Sequence, residues 1–130
     1  MKNKILGIDY GDKRVGLALA EMGSIAVPLK VVQNSGPEAL LEEIREIINS
    51  EEVKSIVIGL PHSFSGNTNE RLETTQAFVD FLKGSLNDIG VSTVDEQLTS
   101  KLYENMGVKK DIDKHSATAI LETYLTQNDR

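Results

Sequence analysis

A continuous apolar run, VKSIVIGLP at 53–61, lies between two segments with helical periodicity. A run of this length without polar alternation is typical of a strand buried on both faces of a sheet. The segment before it has apolar side chains at helical spacing: Leu40, Leu41, Ile44, Ile47 and Ile48. The segment after it, 70–87, predicts a helix whose inward residues are Phe78, Phe81, Leu82 and Leu86. This helix–strand–helix order implies parallel strands joined by right-handed crossovers.

Three further strands are predicted near the start of the chain, at 4–9, 14–20 and 25–32. Their short connections favour an antiparallel meander. Pro28 within the third strand indicates an edge position, because proline cannot donate to a sheet ladder. Ser35 is a possible cap for the helix that follows, which has Pro37 in its first turn.

The second half of the chain predicts one more strand, at 91–95, a short helix at 99–106 and a final helix. The apolar stripe of the final helix consists of Ala117, Ile120, Leu121 and Tyr124. The full order is β-β-β-α-β-α-β-α-α, which predicts an α/β fold. We expect a three-layer α/β/α domain over 1–130, with helices on both faces of a five-stranded mixed sheet.

The composition excludes several kinds of chemistry. The chain has 130 residues, which suits one domain, and its 39% hydrophobic and 26% charged content is ordinary for a globular protein. It has no cysteine, so disulfides, thiolate nucleophiles and cysteine-ligated zinc are excluded. We expect neither a signal peptide nor a membrane span. The absence of cysteine fits a reducing setting, and we expect a cytoplasmic protein.

The net charge of −6 argues by itself against a nucleic-acid-binding protein. However, six of the acids fall within 38–52, where they predict a solvated helix face. The basic residues form small groups elsewhere: Lys13, Arg14, Lys101, Lys109, Lys110 and Lys114. One interpretation is therefore a local basic surface on a protein whose other surface is acidic. The other interpretation is that the charges are scattered and only keep the protein soluble.

Three carboxylates occur where a site would be expected. Asp9 ends the first strand and Glu96 follows the fifth. Ligands of open α/β sheets bind at the carboxyl ends of parallel strands, so these two acids share an edge if their strands are parallel. Asp113 precedes the apolar stripe of the last helix at helical spacing, which predicts a core-facing position in the first turn.

Converging carboxylates raise one another's pKa, and a divalent cation removes that repulsion. Mg²⁺ prefers carboxylate oxygens and keeps waters for a substrate phosphate. Two such ions about 4 Å apart can activate a water and stabilise the leaving oxygen of a phosphodiester. Spacing alone leaves other roles open: a backbone-bonded turn for Asp9, an acidic loop for Asp95 and Glu96, and a helix N-cap for Asp113.

Five segments, found over 4–126, resemble the YqgF family in that family's order and spacing: IDYGDKRVGLALAE, VIGLP, the loop with Ser65-Gly66-Asn67, VDEQLTS and DKHSATAILETYL. These are bacterial nucleases of pre-16S ribosomal RNA, also called Holliday-junction-resolvase-like proteins, with a ribonuclease H-like fold. The resemblance implies a phosphodiester hydrolase of ribosome biogenesis that depends on Mg²⁺ or Mn²⁺. It also implies nucleic acid as the partner, with RNA favoured over DNA.

The same resemblance implies roles for individual residues. Asp9, Glu96 and Asp113 correspond to a catalytic, metal-binding triad. Lys13 and Arg14 fall in the hairpin after Asp9, where they can meet phosphate.

Two glycines, Gly11 and Gly16, allow that hairpin a tight turn and a close approach to the ligand. Thr99 and Lys101 are further candidates for phosphate binding, although Thr99 also suits a helix cap. Gln97 stands where the family usually has arginine. Glutamine has no positive charge, so it cannot replace the bidentate contact of arginine with a phosphate. Lys101 is a neighbour that could supply the missing charge.

The roles of the two histidines stay open. His62 follows a predicted strand and could shuttle a proton, or it is simply solvated. His115 points to a different helix face from Asp113. The loop with Ser65, Gly66 and Asn67 either touches nucleic acid or serves as a plain connection.

Three other functions compete with RNA processing. A phosphotransferase of the actin and sugar-kinase type would share this core, but it needs a second domain. A non-catalytic nucleic-acid-binding module would lack the three acids of the predicted triad, and this chain has all three. A Holliday-junction resolvase would have to be a dimer to cut two strands symmetrically. The sequence leaves the oligomeric state open between a monomer and a weak dimer, and partners from ribosome assembly are possible.

Overall fold

Five strands form one mixed sheet in the computed structural model, which describes residues 4–21, 24–61, 70–95 and 116–128. The strands are β1 Lys4–Asp9, β2 Arg14–Glu21, β3 Val27–Gln33, β4 Val53–Leu60 and β5 Gly90–Asp95. Their order across the sheet is β3-β2-β1-β4-β5, so β1 is central. The first three strands are antiparallel, whereas β1, β4 and β5 are parallel. The predicted meander and parallel crossovers are both confirmed.

Helices cover both faces of this sheet, as expected. They are α1 Pro37–Glu51, α2 Glu70–Ser85 and α3 Ser116–Asn128. One face packs against α1 and α2 through a core cluster that includes Leu6, Ile8, Ile56 and Ile58. The other packs against α3 through a cluster that includes Ile5, Val57, Val94 and Leu121. Within the described ranges, no helix is long and apolar enough to cross a membrane.

Side-chain alternation along β1 assigns its residues to the two faces. Leu6 and Ile8 belong to the cluster beneath α1 and α2, whereas Ile5 belongs to the cluster beneath α3. Since successive side chains of a strand point to opposite faces, Gly7 and Asp9 share the α3 face with Ile5. The carboxylate that ends the central strand therefore lies on the side of the final helix.

The start of α1 differs from the prediction. Pro37 occupies the first turn as expected, but the N-cap is Gly36 with φ 113°, and no side chain caps the helix. Ser35 lies one residue too early to cap it. Asn34 organises this turn instead, since its Oδ1 accepts a hydrogen bond of 3.1 Å from the Gly36 N–H.

The edge position of β3 is confirmed, and Pro28 lies within it. The strand begins at Val27 rather than residue 25, and Ile25 is 75% exposed. The acidic face of α1 is also solvated, with Glu38, Glu42 and Glu46 exposed. The short helix predicted at 99–106 lies outside the described residues.

Candidate active site at the carboxyl edge of the sheet

The three parallel strands end at one edge of the sheet. Asp9 is the last residue of β1, and the register pairs Leu60 of β4 with Asp95 of β5. Adjacent strands lie about 4.8 Å apart, so β1 and β5 are about 10 Å apart with β4 between them. Because β1 and β5 are parallel, the condition for Asp9 and Glu96 to share an edge is met. Glu96 itself lies outside the described residues.

Glycines flank Asp9 on both neighbouring strands. Gly16 of β2 is the direct partner of Asp9. On the other side, Ile8 pairs with Ile58, so Gly59 is the next residue of β4 at the level of Asp9. Since residues at one level share a face, no side chain of either neighbouring strand lies beside the carboxylate on the α3 face. We call this arrangement of Asp9 between Gly16 and Gly59 the Asp9 notch.

The first described turn of α3 lies over the Asp9 notch. A Cβ placed on Gly16 would lie 3.7 Å from the Asp9 Cβ and 3.8 Å from the Ala117 Cβ. Both distances are ordinary van der Waals contacts, so one methyl group would fill the space between strand and helix. Asp113 precedes this turn by three residues in sequence but lies outside the described residues.

Close packing of α3 on the central strand depends on a second glycine. A Cβ on Gly7 would lie 2.5 Å from Leu121 Cγ and 3.0 Å from the Ala117 carbonyl oxygen. Such contacts are too short, so no larger residue fits without a shift of the helix. Gly7 thereby fixes the height of the Ala117 turn above the sheet and so above Asp9.

The turn between β1 and β2 carries the predicted phosphate-binding residues. Lys13 in that turn and Arg14, the first residue of β2, are both exposed shortly after Asp9. A Cβ on Gly11 would lie 2.6 Å from the Arg14 carbonyl oxygen, so the tight turn requires glycine. These positions agree with the hairpin that the sequence predicted, and the phosphate contacts themselves stay a prediction.

The structure describes only part of the predicted metal site. In the described ranges, no three His, Cys, Asp or Glu residues are grouped as metal ligands would be. Asp9 is in those ranges, whereas the predicted ligands Glu96 and Asp113 are not. The other predictions outside them are Thr99, Lys101, Gln97, His62, His115 and the 65–67 loop. What is described does suit a hard cation, because Asp9 supplies a carboxylate at the end of a strand, and neither β2 nor β4 has a side chain beside it on the α3 face.

Sequence reasoning missed two residues of this region. Gly59 forms one wall of the Asp9 notch, and the only local signal for it was a glycine within an apolar run. Asn34 bonds to the β1–β2 turn, and its signal was an asparagine directly after an edge strand and shortly before Gly36-Pro37.

Comparisons with known proteins agree with this architecture. The profile of the family described as "RuvX: Holliday junction resolvase" matches residues 3–127. A protein of Halothermothrix orenii named "Putative pre-16S rRNA nuclease" is 35% identical, covering 98% of this chain and 97% of its own. A protein of the same name from Endomicrobium trichonymphae is 39% identical, covering 95% of each chain.

Among solved structures, the Thermus thermophilus RuvC in complex with Holliday junction substrate superposes with a TM-score of 0.63. That match covers 98% of this chain and 97% of the RuvC chain at 15% identity, so it supports the fold alone. The sequence matches extend over nearly the whole chain and include both the central strand with Asp9 and the final helix. The protein is therefore a member of the RuvX family of Holliday-junction-resolvase-like proteins.

Proposed function

We propose that this protein is a divalent-metal-dependent nuclease that processes the 5′ end of precursor 16S ribosomal RNA in the cytoplasm. The observation that carries this proposal is the Asp9 notch, a carboxylate at the end of the central strand with a glycine beside it on each neighbouring strand. Family membership supports hydrolysis of phosphodiester bonds, and the names of the curated relatives support precursor 16S rRNA as the substrate.

In the proposed mechanism, Asp9, Glu96 and Asp113 would together hold Mg²⁺ or Mn²⁺. When bound, such ions lower the pKa of a water and offset the charge that develops on the leaving oxygen. Asp9 contributes a carboxylate that a central strand holds rigidly, which limits the reorganisation needed during reaction. Gly16 and Gly59 place no side chain beside it on the α3 face.

Binding of the nucleic acid would rest on a local basic group rather than on net charge. Lys13 and Arg14 are exposed on the turn after Asp9, where they can contact phosphates flanking the cut. Thr99 and Lys101, downstream of Glu96, would contribute further phosphate contacts. The acidic face of α1 would repel the backbone elsewhere, so nucleic acid should approach from the notch.

The substrate is tested with two labelled nucleic acids. One is a single-stranded RNA spanning the 5′ end of precursor 16S rRNA, and the other is a four-way DNA junction. We expect the wild-type protein to cut the RNA when Mn²⁺ or Mg²⁺ is present and to leave the DNA junction intact. Cleavage of the RNA should cease when EDTA removes the metal. Ribosome-assembly proteins can be added to this assay as candidate partners.

The outcomes of this assay separate the competing functions. Symmetric cutting of the junction, together with a dimer in solution, would identify a resolvase instead. The family description and the RuvC-like fold make that the second candidate. Binding without metal-dependent cutting of either substrate would contradict the nuclease proposal and indicate a binding module.

Filling the Asp9 notch should lower activity without lowering stability. In Gly16→Ala, the new methyl group occupies the space between Asp9 and Ala117 at ordinary contact distances. Replacing glycine in a strand also removes freedom from the unfolded chain, which stabilises by up to about 1 kcal/mol. We therefore expect a melting temperature equal to or above that of the wild type, and cleavage at least about tenfold slower.

Thermal unfolding and cleavage are measured on the same preparation. Gly90→Ala is the matched control, because it also lies in a strand and a Cβ there would meet nothing within 4 Å. Its cleavage rate should equal that of the wild type. Unchanged cleavage in Gly16→Ala would contradict the use of the notch by substrate or metal.

A further inference from the structure

Asn34 connects the β1–β2 turn to the start of α1 through three hydrogen bonds. Its side-chain Nδ2 donates to the Gly11 carbonyl oxygen at 2.8 Å. Its backbone N–H donates to the Lys13 carbonyl oxygen at 2.9 Å. Its Oδ1 accepts from the Gly36 N–H at 3.1 Å. One asparagine thus holds two carbonyl groups of the turn that follows Asp9.

These bonds determine how the turn presents its polar groups. The Gly11 carbonyl points toward Asn34, and no peptide bond of the described residues is cis. In a planar trans peptide the C=O and N–H point in opposite directions, so the Asp12 N–H points away from Asn34. Loss of the bond to Gly11 would allow this peptide to rotate, which would reorient the Asp12 N–H and loosen the backbone just before Lys13.

Fixing this turn matters because its basic side chains are long and solvated. Lys13 and Arg14 are exposed, and each ordered long side chain costs conformational entropy when it binds. If the backbone of the turn already has the bound conformation, only the side chains lose conformational entropy when the nucleic acid binds. The asparagine that holds the backbone can therefore affect binding of phosphate without touching it.

We propose that Asn34 is a positioning residue for nucleic-acid binding, which holds the β1–β2 turn so that Lys13 and Arg14 meet the phosphates beside Asp9. This inference rests on the proposed function of the same site. It extends that function to a residue on the edge of the sheet that was not expected to take part. Asn34 acts through the turn, so its effect should appear in substrate binding rather than in the chemical step.

The test uses Asn34→Ser in the full chain. Serine is too short to reach the Gly11 carbonyl, but it keeps the backbone bond to Lys13, and its hydroxyl can still accept from Gly36 in a Ser/Thr turn. Ser35→Ala is the matched control in the same connection, where residue 35 is exposed. If Asn34→Ser proves unstable, Asn34→Asp keeps the shape and the acceptor while removing the donor.

Binding is measured in EDTA with the labelled precursor 16S RNA, and cleavage kinetics are measured with Mn²⁺. We expect Asn34→Ser to raise Kd and KM about tenfold with kcat unchanged, the upper range for one lost hydrogen bond. Ser35→Ala should match the wild type. Because Asn34 acts through the turn, adding Asn34→Ser to Lys13→Ala should weaken binding less than it does in the wild type.

Two results would overturn the inference alone while the nuclease proposal stands. One is a wild type that binds and cuts RNA, with Asn34→Ser equal to Ser35→Ala. The other is a loss in Asn34→Ser that adds fully to the loss in Lys13→Ala, as expected for general destabilisation. A wild type that binds neither RNA nor the DNA junction would instead overturn the proposed function, and the inference with it.

Discussion

Replacing Asp9 by asparagine should abolish metal-dependent cleavage and leave the protein at least as stable as the wild type. Asparagine has the same shape but no charge, so it is a poor ligand for Mg²⁺ or Mn²⁺. Loss of one ligand that positions the metal should cost several kcal/mol in the transition state, which corresponds to about a thousandfold in kcat. Stability should not fall, because removing one carboxylate of the proposed triad would relieve the repulsion among its members.

The measurement combines cleavage with a binding readout that needs no substrate. Added Mn²⁺ should raise the melting temperature of the wild type, since a ligand that binds only the native state stabilises it. The same addition should leave Asp9→Asn unchanged. Asp12→Asn is the matched control, because Asp12 is an exposed carboxylate in the adjoining turn. Asp12→Asn should cut at the wild-type rate and should still be stabilised by Mn²⁺. Cleavage at the wild-type rate by Asp9→Asn would exclude Asp9 as a metal ligand.

Hydrophobic periodicity was sufficient to predict the described helices and strands of this fold. The buried run of β4 and the apolar stripes of α1, α2 and α3 repeat at spacings that a strand and a helix impose. Pro28 predicted the edge strand for a chemical reason, its missing donor. The start of α1 was harder, because Gly36 takes a positive φ and an asparagine two residues earlier organises the turn.

The candidate site was predictable in part. Asp9 was singled out because a carboxylate at the end of an apolar strand is costly unless it has a partner or a function. The Asp9 notch was not predictable, because it depends on the register of β1 against two strands that are distant in sequence. A shift of one residue would place other side chains beside Asp9. The metal-binding roles of Asp9, Glu96 and Asp113 stay predictions, and the last two residues lie outside the described ranges.

The second large effect should come from a residue that touches neither metal nor substrate. In Gly7→Ala, the new methyl group would lie 2.5 Å from Leu121 Cγ and 3.0 Å from the Ala117 carbonyl oxygen. Leu121 is fully buried and the carbonyl belongs to the helix backbone, so neither can move aside freely. Overpacking of this kind typically costs about 1–3 kcal/mol. We expect a loss of unfolding free energy in that range, measured by urea denaturation.

Activity should fall in the same variant for a geometric reason. A methyl group between β1 and α3 must lift the helix, which moves the Ala117 turn away from Asp9. We therefore expect cleavage to fall at least tenfold under conditions where Gly7→Ala is still folded, because small displacements of reacting groups are costly. Gly84→Ala is the control, since a Cβ there would meet nothing within 4 Å, and alanine in helix α2 should stabilise by up to about 1 kcal/mol. A Gly7→Ala protein that unfolds and cuts like the wild type would mean that α3 is not held against β1 by this contact, and that the height of the helix does not govern the site.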